Sequence, residues 1–203
     1  METSGVYLAE MVTRWLHVVA GILWIGLLYF FNFVNSNFAK TLDADSKKKV
    51  VPELMPRALF FFRWGAMFTF LLGLLLIYFV YLSPTGARHG SFMTNPILIG
   101  VIFGTIMWFN VWFIIWPAQR KIINGIKTGN PAAPELVTRA TNASKVNTYL
   151  SIPLVFFMLS GPHLSFLTLD MASNWIWILV IVAIGFALAW HLYKIGAKVS
   201  TNV

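Results

Sequence analysis

The chain contains no cysteine. Disulfides, thiolate metal sites, iron–sulfur clusters and the Cys-x-x-Cys-His attachment of a covalent haem are therefore excluded. Charge is scarce as well: charged residues make up 11% of the 203 positions, against about a quarter in a soluble domain. Acidic residues number 7 against 15 Lys and Arg. The sequence offers no Ser-His-Asp set, no carboxylate pair within an apolar run and no glycine loop able to cradle phosphate. Hydrolase and nucleotide chemistry have no residues to work with.

What the chain has in abundance is apolar surface: 58% of its residues are hydrophobic and its mean hydropathy is +0.73. These residues fall in runs of roughly twenty, enough to cross a ~30 Å hydrocarbon layer as α-helix. The sequence therefore reads as an all-α integral membrane protein, a single domain over residues 1–203. Its five transmembrane helices are placed at about 11–36, 58–82, 96–117, 146–169 and 174–193. The fourth is the informative one. Tyr149 to Ser160 would reach only about 18 Å, so the span is carried through Gly161, Pro162 and His163 to Leu169, with a kink expected at Pro162. The opening Met1-Glu2-Thr3-Ser4-Gly5 lacks the basic start of a cleaved signal, and the first run is read as a spanning helix.

The basic excess does not point to nucleic acid, because no polar helix or strand is present to carry a basic surface. It points to orientation in a lipid bilayer. Lys40, Lys47, Lys48, Lys49 and Arg57 lie in the 36–57 connection, Arg120, Lys121, Lys127, Arg139 and Lys145 in the 118–145 connection, and Lys194 and Lys198 in the tail. The other side holds Arg14 and Arg88, with Arg63 at a membrane edge. This bias puts the N-terminus outside and the C-terminus in the cytoplasm of a multi-pass protein of the bacterial inner (cytoplasmic) membrane.

Ionisable side chains within a span are costly, and each is a functional candidate. Of four histidines, His89 falls in the outer loop Pro84–Gly90. His17 is nineteen residues from Ser36 and His163 eighteen from Lys145, about 28 and 27 Å along a helix. Both are thereby expected near the outer face at a common level. His191 is placed near the cytoplasmic side, where beside Lys194 it reads as an interfacial residue. Two imidazoles at one height suit the two axial positions of a non-covalent haem b. Arg14, His17, Gly21, Trp24 and Leu28 share one helix face. On that reading His17 and His163 bind iron, Gly21 gives a flat macrocycle room, Trp24 lines it and Arg14 pairs with propionates. Hydrogen bonding of His17 to a neighbouring helix is the plainer alternative. Asn110, in mid-span, needs a partner inside the bundle, and Arg63 is expected to snorkel to the surface. Trp108, Trp112 and Trp116 form a stripe read as packing, with Trp116 a belt residue.

Arg14-Trp15-Leu16-His17-Val18 with Trp24-Ile25-Gly26 resembles the opening helix of the membrane domain of bacterial membrane-bound urate oxidases. Asn110-Val111-Trp112-Phe113-Ile114-Ile115-Trp116-Pro117-Ala118-Gln119-Arg120 is similar to a late-helix motif of that family. So is Asn147-Thr148-Tyr149-Leu150-Ser151-Ile152-Pro153, continuing to His163, and Asn174-Trp175-Ile176 and His191 have counterparts. The resemblance implies a membrane module for urate oxidation with electrons leaving through a c-type cytochrome domain. The family's membrane domain has additional helices between the regions matching helices two and three. Family histidines near the start of the third helix and just before the Asn-x-Tyr-Leu motif have no counterpart, and Val146 precedes Asn147. Three functions follow as expectations. The first is a haem b-binding electron-transfer subunit of a larger respiratory-type complex. The second is a urate-oxidising enzyme passing electrons to a separate cytochrome c. The third is a non-redox accessory subunit packed against other membrane subunits.

Overall fold

The computed structural model describes residues 2–163 and 174–199. They form five long helices, and no strand occurs among them. Helix α1 covers residues 2–41 as three consecutive stretches: Glu2–Tyr29, a π-helical turn at Phe30–Asn35, and Ser36–Thr41. Helix α2 runs over Ala44–Leu82, its last turn also π-helical. Helix α3 is Ile97–Thr128, with a π-helical turn at Asn110–Ile115. Helix α4 is Pro134–His163 and α5 is Trp175–Val199. The last part of the fourth expected span, to Leu169, lies outside the described residues.

The helices outrun the expected spans on their charged side. The 36–57 connection is helical except at a turn, Leu42-Asp43, and the 118–145 connection is helical except at residues 129–133. The local chemistry explains both. Asp43 caps α2, its carboxylate accepting from the Ser46 N–H (2.8 Å) and from the Ser46 hydroxyl (2.8 Å). These bonds favour the ionised form and hold the Asp43 carboxyl below its ordinary pKa. Beyond the cap, Glu53 and Arg57 pair one turn apart at 2.7 Å. At the other turn Gly129 closes α3 in the left-handed conformation (φ 74°), which a side chain would strain. At the opposite end Asn95 opens α3 by accepting from the Ile97 N–H (3.1 Å), and Pro96 follows it.

Four of the helices, α1, α2, α3 and α5, are long and apolar enough to cross a membrane, with mean hydropathy 1.9–2.2 over their best windows. Helix α4 falls outside that group, and its packing shows why. It lies against α1, α3 and α5, and it buries Asn147, Thr148, Ser151 and Ser160. The face that α4 turns to its neighbours can carry polar residues that a lipid-facing surface cannot. The main apolar cluster joins Trp24 and Leu28 of α1, Leu59, Phe62 and Ala66 of α2, Met107, Val111 and Ile115 of α3, and Ala143 and Leu154 of α4.

The α4–α5 seam depends on a small residue. A Cβ at Gly185 would stand 2.6 Å from Pro153 Cδ and 3.0 Å from Pro153 N, so the α5 backbone approaches α4 only because Gly185 lacks one. Gly185→Val should destabilise the bundle by about 1–3 kcal/mol, read as a lowered thermal midpoint in detergent. An unchanged midpoint would show that α5 does not pack on Pro153.

Candidate functional site

The expected cofactor face of α1 is turned to α2. Trp24 and Leu28 are buried, the latter completely. A Cβ on Gly21 would lie 3.8 Å from Thr69 Cγ2, so Thr69 occupies the side that Gly21 leaves open. One turn earlier, His17 Nδ1 donates to the Thr69 carbonyl at 2.8 Å, and its Cε1 lies 3.2 Å from the position a Cβ on Gly73 would take. The bare Gly73 thus admits the ring, and the Thr69 carbonyl fixes its rotation and tautomer. With the proton on Nδ1, Nε2 keeps its lone pair, and no described residue hydrogen-bonds to it. Arg14 is already paired: its guanidinium meets Glu10 at 2.6 Å, one turn away.

His163 is elsewhere. It is exposed at the last residue of α4. Two residues earlier, Gly161 backs onto Asn95 and Ile97 at the start of α3 and onto Tyr81 at the end of α2. Tyr81 is eight residues beyond Gly73, about 12 Å along α2. His163 thus lies near the start of α3, and His17 lies against Thr69 and Gly73 of α2. Counted from the Tyr29–Ser151 contact between α1 and α4, each histidine lies twelve residues away along its helix. His191 is exposed on α5, near Lys194, whose Nζ lies 3.7 Å from the Trp190 ring centroid. His89 is exposed in the connection between α2 and α3. Among the described residues no group of three or more His, Asp or Glu gathers as a metal cage.

The second polar constellation was only partly legible. Asn110 Nδ2 donates to Asn147 Oδ1 (2.8 Å), and Asn147 Nδ2 donates to the Met107 carbonyl (3.0 Å). On the other side of α4, Asn32 donates to the Ser144 hydroxyl (2.8 Å) and accepts from the Tyr193 hydroxyl (2.9 Å). Tyr29 and Ser151 bond through their hydroxyls at 3.0 Å. Asn32 and Asn110 both sit in the π-helical turns of their helices, where an extra residue per turn re-aims a side chain. Asn110 was flagged by its depth. Asn32, Asn147, Tyr29 and Tyr193 were missed, although Asn147, Thr148 and Ser151 share one face of a span, a signal of an inward polar stripe.

The third is aromatic. Arg63 does not simply snorkel. Its Cζ lies 4.0 Å from the Trp116 ring centroid and 5.8 Å from those of Phe60, Trp64 and Trp112. Trp108 stacks on Phe70 at 4.3 Å, and Trp64 meets Trp112 edge-on at 5.6 Å. The indole N–H groups of Trp24, Trp108 and Trp112 and Nε of Arg63 are buried without an acceptor.

The Asn110–Asn147 bond invites a direct test. Asn147→Leu should strand the Asn110 amide and the Met107 carbonyl. A double-mutant cycle with Asn110→Leu should return a coupling of about 0.5–2 kcal/mol, the range for hydrogen bonds between membrane helices. Additive effects in reversible unfolding would show that the two amides do not interact.

Comparison with known proteins adds one finding. No curated protein and no solved structure matches the chain. The family described as Urate oxidase N-terminal matches residues 85–202, from the connection before α3 through α5. The match takes in Asn110, Asn147, His163 and His191 and leaves out all of α1 and α2. It spans more than half of the sequence, and the chain belongs to the urate oxidase N-terminal family.

Proposed function

We propose that the chain is the membrane module of a urate-oxidation system and handles electrons through a b-type haem bound at His17. The family supports urate-related redox chemistry as the setting. The observation that carries the reading to a residue is the bond from His17 Nδ1 to the Thr69 carbonyl (2.8 Å). Metal-ligating imidazoles characteristically donate their other ring N–H to a backbone carbonyl or carboxylate, which sets the tautomer and raises the basicity of the free nitrogen.

Of the expected ligands, His17 would hold the iron, through the Nε2 that the Thr69 bond leaves free. His163 is exposed, and the proposal rests on His17 alone. Arg14 is engaged by Glu10, so it is not assigned to propionates. The haem, when bound, would supply a one-electron carrier, and the contribution of the chain is an imidazole oriented by the Thr69 carbonyl. We place the N-terminus outside and the basic helix ends in the cytoplasm of a bacterial inner membrane, on the loop charges. A cytochrome c and other membrane subunits are the proposed electron partners.

A second reading has its own support. The same hydrogen bond, together with the close approach of Cε1 to Gly73, is what an imidazole does when it fastens two helices in an accessory subunit. The two readings separate in one experiment. Protein purified from haem-replete cells should show a Soret band that His17→Ala abolishes while His163→Ala retains it. A colourless wild type whose His17→Ala variant loses only thermal stability would overturn the haem reading in favour of helix fastening.

A further inference from the structure

We propose that Arg63, Arg120 and Trp112 form a site for the phosphate of an anionic phospholipid at the basic edge of the bundle. The proposal is independent of the haem reading. Two guanidiniums converge on one ring: Arg63 Cζ is 4.0 Å and Arg120 Cζ is 5.8 Å from the centroid of Trp116. Neither makes an ion pair among the described residues, where the acidic partners Glu10 and Glu53 are taken by Arg14 and Arg57. Beside them, Nε of Arg63 and Nε1 of Trp112 are buried donors with no acceptor. Buried donors are almost always paired, and a cationic one left alone is costly. The cluster thus presents two positive charges with no carboxylate partner among the described residues, backed by an aromatic wall.

Depth identifies the acceptor. Arg63 is nineteen residues before Leu82, and Trp116 is nineteen after Ile97. Both are about 28 Å from the far ends of their helices, close to the ~30 Å hydrocarbon thickness. Arg120 lies one turn further out. The site therefore straddles the boundary at which lipid phosphates sit, on the side that also carries Lys145 and Lys194. Basic pockets between helices at this depth suit anionic headgroups, and the aromatic wall of Phe60, Trp64 and Trp112 suits the upper acyl chains. A zwitterionic headgroup brings its own ammonium to the same cations and should be held less tightly.

The test is a lipid titration of delipidated protein in detergent, read by native mass spectrometry. Phosphatidylglycerol should bind about tenfold more tightly than phosphatidylcholine. Arg63→Gln and Arg120→Gln should each remove most of that preference and leave the phosphatidylcholine affinity unchanged. Arg120 is exposed, so its variant keeps the test decisive if Arg63→Gln folds poorly. Equal binding of the two lipids, or a preference untouched by Arg120→Gln, overturns the proposal. Displacement of phosphatidylglycerol by inorganic phosphate would assign the cluster to a soluble anion and overturn it too.

Discussion

The arrangement of the molecule follows from one constraint: a polar group surrounded by lipid must find its partner within the protein. Helix α4 carries more such groups than any other span, and its neighbours are placed around them. Asn110 reaches Asn147 from α3, Asn32 reaches Ser144 from α1, and Tyr29 reaches Ser151. Tyr193 of α5 closes the set on Asn32. Two helices, α1 and α3, are thereby tied to α4 by hydrogen bonds at chosen heights, and α5 is tied to α1. Apolar contact alone, which is as good with lipid as with protein, would not fix their register. The π-helical turns at Phe30–Asn35 and Asn110–Ile115 belong to the same logic, since each re-aims an asparagine at α4.

The α1–α2 pair is built differently. Small residues bring it together: a Cβ on Gly65 would meet the Trp24 backbone N at 3.3 Å, and Gly73 admits the His17 ring. Into this close seam the chain puts an ionisable side chain and satisfies one of its nitrogens with a main-chain carbonyl. The result is a rigidly held imidazole with one nitrogen uncommitted, a form suited to ligation. This seam lies outside the segment that the family match covers, whereas the hydrogen-bonded α4 hub lies inside it. The shared part of the chain is thus a polar scaffold, and the proposed redox residue sits on the two helices that precede it.

Much of this was readable from the sequence, for identifiable reasons. Five helices follow from run length, and four of them need nothing more. Helix α4 was recoverable because Tyr149 to Ser160 is too short to span alone, which forces the reading outward past Gly161. Helix continues through the charged connections because Asp43 caps α2 and the Glu53–Arg57 pair supports it, neither of which an apolar run length reports. At the site, periodicity correctly grouped His17, Gly21, Trp24 and Leu28 on one face. It could not show that Thr69 fills the space beside Gly21, because that depends on the pairing of α1 with α2 and on its offset. The height of His163 relative to His17 was not readable from either helix alone: rise per residue measures distance along one helix, and relating two helices needs a contact between them, such as Tyr29–Ser151.

The central claim is that His17 is held as the Nδ1–H tautomer with Nε2 free. Nitrogen-15 solid-state NMR of the protein in bilayers, with the His17 signals assigned by their loss in His17→Gln, tests it directly. A protonated Nδ1 alongside an unprotonated or iron-bound Nε2 is the expected pair. A proton on Nε2, with Nδ1 bare, would contradict the bond to Thr69 and remove the basis for ligation at this position.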